Sequence, residues 1–125
     1  MRLRIVLLLL LLAVAVAGCG VGPATDQQKV SKSATTYLRA LASGDTARAC
    51  AQLTLQARGQ RCDHTMKERL SSLDRDALKN AADGSMDIDV DGNRATAGLS
   101  EPEGARFRLV KTGDEWRIDS GYTLD

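Results

Sequence analysis

Three cysteines, one histidine and a row of alternating aspartates are the side chains whose types and spacing could do chemistry. A thiol can take a lipid, close a disulfide or exchange electrons. Cys19 stands alone near the N-terminus, while Cys50 and Cys62 stand closer together at a spacing that is not C-x-x-C. His64, next to Asp63, could serve as a general base or a ligand. No serine or second histidine completes a triad or metal set with it by spacing, so a place in water on the first turn of a helix is expected. Asp87-x-Asp89-x-Asp91-Gly92-Asn93 matches the opening of a calcium loop, in which alternate carboxylates and a glycine wrap a hard cation. The twelfth position, which should be a bidentate glutamate, is Gly98. Ile88 and Val90 also complete a strand alternation that spreads the aspartates along a flat sheet face. The expected role is an acidic row facing Arg106 and Arg108 across strands, worth about 0.2–1 kcal/mol per pair. No metal and no cofactor is expected. Glu68, Arg69, Glu115 and Arg117 read as solvated surface pairs of little energetic weight.

The surroundings of Cys19 give it a particular chemistry. Arg2 and Arg4 form a positive start, and Ile5 to Ala17 is an unbroken apolar run. That run suits the central region of a signal peptide and falls short of the roughly 18 residues of a spanning helix. Small residues at Ala17 and Gly18 let the chain lie extended in a peptidase groove, and a thiol follows directly. Val16-Ala17-Gly18-Cys19 resembles the bacterial lipobox. The resemblance implies that residues 1–18 are removed and that Cys19 becomes an acylated N-terminus. Two or more acyl chains anchor stably where one binds marginally. The implied location is the extracytoplasmic face of the cell membrane. If Cys19 carries lipid, Cys50 and Cys62 remain, and an oxidising compartment favours a structural disulfide between them.

Charge and size exclude some partners. The chain carries 17 Lys and Arg against 16 Asp and Glu, so the processed domain is near neutral and nucleic acid is not expected. The aromatic side chains are Tyr37, Phe107, Trp116 and Tyr122, too few for a stacking platform. Residues 19–125 suffice for one domain with a modest core.

Those residues must be held by elements legible in the pattern. Residues 19–25 form the lipidated cysteine and a short linker, and residues 26–125 a single domain. Thr25 with Gln28 makes a capping box. Val30, Ala34, Tyr37, Leu38 and Leu41 then form one apolar stripe at helical period. Gly44 stops that helix and Asp45 caps a second, whose inward residues are Ala49, Leu53 and Cys50, ending at the Arg58-Gly59-Gln60-Arg61 break. A third stretch carries Met66, Leu70 and Leu73; it either continues through Leu78 or restarts near Asp74. Beyond Asp83-Gly84 the period becomes two. Met86, Ile88 and Val90, then Ala95, Ala97 and Leu99, then Phe107 and Leu109, then Trp116 and Ile118 alternate with polar residues between three short turns. The fold class is α+β: N-terminal helices packed on one face of an antiparallel sheet, a four-strand meander.

Tyr37-Leu38-Arg39-Ala40-Leu41-Ala42-Ser43-Gly44-Asp45, and the later Phe107-Arg108-Leu109-Val110-Lys111 with Gly113-Asp114-Glu115-Trp116-Arg117-Ile118-Asp119, carry a second resemblance. They are similar to the nuclear transport factor 2-like (SnoaL-like, ketosteroid isomerase-like) family. The resemblance implies a curved, cone-like sheet whose mouth could hold a pocket lined by Tyr37, Leu41, Phe107 and Trp116. In ketosteroid isomerases the position matching Tyr37 holds an oxyanion-stabilising tyrosine. Those enzymes also need a carboxylate base, and Ala49 to Gln60 offers none. The leading expectation is therefore a non-enzymatic envelope lipoprotein that binds a small hydrophobic ligand or a neighbouring envelope protein. The alternatives are a cone-fold isomerase or lyase using Tyr37, and a purely structural subunit of an envelope complex.

Overall fold

The computed structural model describes residues 22–122; Cys19 and the stretch 1–18 expected to be a signal peptide lie outside the described residues. Thr25 opens α1 (Asp26–Ser43) with a reciprocal cap. The Gln28 N–H donates to Thr25 Oγ1 at 3.2 Å, and the Thr25 N–H donates to Gln28 Oε1 at 2.9 Å. The stripe Val30, Ala34, Tyr37, Leu38 and Leu41 is buried along its full length. Gly44 ends the helix at φ 79°, a left-handed conformation that lets its N–H turn back to the carbonyls of Ala40 and Leu41.

Asp45 accepts from the Arg48 N–H at 3.1 Å and so caps α2 (Thr46–Ala51). The helix does not run to the break at Arg58. Leu53 leaves it to bridge to Ile118: the Ile118 N–H donates to the Gln52 carbonyl at 2.8 Å, and the Thr54 N–H donates to the Ile118 carbonyl at 2.9 Å. Ladder bonds to a sheet edge thus outcompete two further helical turns. Thr54 then caps a single turn, α3 (Leu55–Arg58). The third helical stretch restarts rather than continues. After α4 (Cys62–Leu70), the Ser71 and Ser72 hydroxyls donate back to the Glu68 and Arg69 carbonyls at 2.6 and 2.9 Å. Asp74 then accepts from the N–H groups of Asp76 and Ala77 to cap α5 (Arg75–Asp83).

The rest is a meander of β1 (Met86–Asp91), β2 (Arg94–Leu99), β3 (Arg106–Thr112) and β4 (Glu115–Ser120), paired antiparallel in the order β1-β2-β3-β4. The sheet is open, not a closed barrel. Ala95, Ala97, Leu99, Phe107, Leu109, Trp116 and Ile118 point to one face, where α1 lies across the strands. Small and large side chains alternate across the register: Ala97 pairs with Phe107 and Ala95 with Leu109. The alanines leave room for the helix while the larger side chains fill the layer beside it. The register slips between Arg108 and Leu109, leaving Asp119 unpaired on β4. Its carboxylate accepts from Thr54 Oγ1 at 2.9 Å, tying the chain before α3 to the bulge.

The acidic row and the arginines share the opposite face but are not neighbours. Asp87 pairs with Gly98, and Gly98 in turn with Arg106; Asp89 pairs with Thr96, and Thr96 with Arg108. Strand β2 separates the two rows because consecutive strands in a meander sit side by side. Among the described residues no ion pair joins Asp87 or Asp89 to either arginine.

Candidate functional site

The four side chains expected to line a pocket are brought together, and they fill the space between α1 and the sheet. Tyr37, Leu41, Phe107 and Trp116 are each no more than 1% exposed. The Tyr37 and Phe107 rings meet edge to face, centroids 5.6 Å apart and planes at 89°. The Tyr37 hydroxyl donates to the Tyr122 carbonyl at 2.8 Å and lies 3.9 Å from Met66 Sδ. Burial pushes the phenol above its ordinary value of 10.0, only partly offset by the positive charge of Arg69, so it stays a neutral donor. Its hydrogen bonds among the described residues involve no carboxylate or imidazole. The geometry makes Tyr37 a clamp on the C-terminal tail.

That clamp requires Gly121. Its φ is 81°, and a Cβ there would sit 1.9 Å from the Arg106 carbonyl oxygen. Only a residue without a side chain lets the tail press against β3 and turn the Tyr122 carbonyl to the phenol.

Cys50 and Cys62 form a disulfide, Cα atoms 6.0 Å apart, that joins the end of α2 to the start of α4. The same corner holds Thr46, a buried hydroxyl that donates to Asp63 Oδ1. The Thr46 hydrogen bond and then the Lys67 ammonium at 3.1 Å hold the Asp63 carboxyl below its ordinary 3.8. His64 is exposed on the first turn of α4, its Nε2 at 3.1 Å from Glu68 Oε1. Asp87, Asp89 and Asp91 lie along β1 and a two-residue turn follows, so the segment does not wrap a cation. Among the described residues no group of three or more His, Cys, Asp or Glu is placed to hold a metal.

The root of α1 is tied to the far end of the sheet. Trp116 Nε1 donates to Asp26 Oδ1 at 3.1 Å, and Lys111 Nζ lies 3.2 Å from the same oxygen. The Trp116 hydrogen bond first, then that of Lys111, lowers the Asp26 carboxyl from 3.8. Sequence reasoning misses this clamp because Asp26 stands in a helix first turn, where an acid already has a local reason to be. The Thr46–Asp63 and Tyr37–Tyr122 bonds also join residues too far apart for any spacing rule.

Surface hollows lie around this core. One of about 730 Å³ lies between α1 and β1, bordered by Gln28, Lys32, Arg39 and Arg48 and by Met86 and Ile88. One of about 480 Å³ lies between Lys29, Lys32, Arg48, Trp116 and Arg117. A third, about 490 Å³, lies on the open sheet face between Asp89, Arg94, Arg108 and Asp119. A small apolar cleft of about 120 Å³ is bounded by Leu38, Leu73, Leu78, Leu99 and Pro102. Tyr37, Leu41 and Phe107 line none of these four. Among the described residues, no helix is long and apolar enough to cross a membrane. No protein-family model matches the chain, and no curated protein or solved structure matches it.

Proposed function

We propose that the chain is a non-enzymatic envelope lipoprotein, held by lipid on Cys19 at the extracytoplasmic membrane face, whose domain binds a neighbouring envelope protein through its surface. The observation that carries this reading is Val16-Ala17-Gly18-Cys19 behind Arg2, Arg4 and the apolar run. The helix-then-meander order agrees with what the nuclear transport factor 2-like resemblance implies. The packing supports surface binding over uptake of a small hydrophobic ligand, because the four side chains that would line the pocket are spent in the core. It also supports a non-enzymatic role. An oxyanion donor must point at the reacting oxygen, and the Tyr37 hydroxyl is already given to the Tyr122 carbonyl.

Intact mass spectrometry of the membrane-extracted protein tests the reading. The expected species begins at Cys19 and carries diacylglycerol, with Cys50 and Cys62 oxidised. A chain that retains residues 1–18, or begins at an unmodified Cys19, overturns it. In-cell cross-linking at surface lysines should then capture a membrane-proximal protein, and capture should vanish in Cys19→Ala.

A further inference from the structure

We infer that the outer face of α1, with Arg48 of α2 beside it, lies on anionic phospholipid headgroups. This rests on the anchored reading of Cys19. After Asp26, α1 carries Lys29, Lys32 and Arg39 and no further acid. Lys29, Lys32 and Arg48 line one hollow, and Lys32, Arg39 and Arg48 line the next, so the two hollows share Lys32 and Arg48 and the cations run along the helix from Lys29 to Arg39. Lys32 and Arg48 are exposed, and among the described residues Lys29, Lys32 and Arg48 have no ion pair.

The acids nearby are mostly engaged. Asp26 is bound by Lys111 and Trp116, Glu115 by Arg117, and Asp83 by Arg39 at 3.4 Å. Asp114 at the hairpin tip is the acid left on the rim of the hollow.

Position favours a lipid surface over a distant partner. Lys29 and Lys32 lie on the first two turns of α1, within about 10 Å of its start at 1.5 Å per residue. The chain from Cys19 to Asp26 extends to at most about 25 Å. The clamp of Asp26 on Trp116 and Lys111 fixes the direction in which the helix leaves that tether. The cationic face is therefore the surface of the domain that the tether delivers to the headgroups. A basic side chain close to an anionic surface gains on the order of five-fold in local association, and the gain weakens with salt.

Amine labelling of the full acylated protein in vesicles tests the assignment, with acetic anhydride as the probe and peptide mass spectrometry as the readout. In phosphatidylglycerol–phosphatidylcholine vesicles, Lys29 and Lys32 should label several-fold more slowly than in phosphatidylcholine alone. Lys67 on α4 and Lys79 on α5 should label equally in both, and the contrast should disappear at high salt. The pair Lys32→Glu and Arg48→Glu, both exposed, should abolish the protection of Lys29. Equal labelling of Lys29 in the two vesicle types, or protection of Lys67 and Lys79 instead, overturns the proposal. Should the double variant fail to fold, the pattern in the unaltered protein still decides. The intact mass taken on the same sample separates the two failures. With acyl mass present and no lipid dependence, only this assignment falls; without acyl mass, the anchored reading falls and takes this one with it.

Discussion

At the scale of single residues, Tyr37 shows why chemistry cannot be read from type and position alone. Its place on the apolar stripe was legible from spacing, and so was its burial. What its hydroxyl does was not, because the acceptor belongs to Tyr122, at the other end of the domain. Tyr37→Phe should keep the packing against Phe107 and lose one hydrogen bond, lowering unfolding stability in urea by about 1 kcal/mol. Gly121→Ala should be worse, upwards of about 2 kcal/mol, because it adds an unfavourable φ to a contact with the Arg106 carbonyl that cannot exist. If the alanine variant matched the parent protein in urea, the tail would not be pressed against β3. Asp63 and Asp26 each make stability depend on pH on the acid side. Each native carboxyl holds its charge to a lower pH than the unfolded chain does. Their contribution is complete above the ordinary value of 3.8 and is lost as pH falls below it through the lowered native value. A thermal midpoint followed down through that window should drop, and Asp63→Asn should flatten the drop; equal slopes would mean that the Thr46 and Lys67 bonds contribute nothing.

Elements were legible wherever a local rule governs them, and the failures share one cause. The capping box at Thr25, the stop at Gly44, the Asp45 cap and all four strands follow from nearest-neighbour chemistry. The interruption of the second helix at Leu53 does not, because its reason is an edge strand some sixty residues later, whose carbonyl and N–H at Ile118 need partners. The separation of the acidic row from Arg106 and Arg108 is likewise a matter of strand order, which alternation does not encode. The break at Leu53 shifts weight onto the disulfide. With α2 and α3 each too short to stand alone, Cys50–Cys62 closes the corner that they and α4 share. The short loop it closes should contribute about 3 kcal/mol through the unfolded chain. Reduction, or Cys50→Ala with Cys62→Ala, should lower the urea midpoint accordingly, and the slope should hold or rise because the unlinked unfolded chain exposes at least as much surface. A disulfide-free variant of unchanged midpoint would show the corner held by Thr46–Asp63 and core packing alone.

For the whole molecule, the proposed lipid anchor on Cys19 would, through its short linker, make height above the membrane a structural property rather than an average over a loose tether. From Cys19 to Ala24 the chain reaches at most about 20 Å, and the first helix begins at once. Its start is bonded to the sheet through Trp116, the single tryptophan of the chain, so that indole reports where the root of the domain sits. In vesicles carrying a headgroup acceptor dye, energy transfer from Trp116 should be strong for the acylated protein. A Gly/Ser insert of 20 residues between Pro23 and Ala24 adds about 25 Å of root-mean-square reach. If acyl chains on Cys19 supply the anchoring as proposed, the insert should lower the transfer clearly while leaving the fraction of protein on vesicles unchanged. It should also weaken, without abolishing, the anion-dependent protection of Lys29. A lengthened tether dilutes the cationic face near the surface but leaves its charge intact. If transfer stayed constant on insertion, the domain would be held to the bilayer by its own surface alone. If transfer were weak even with the native linker, Cys19 would not be the root from which the domain hangs.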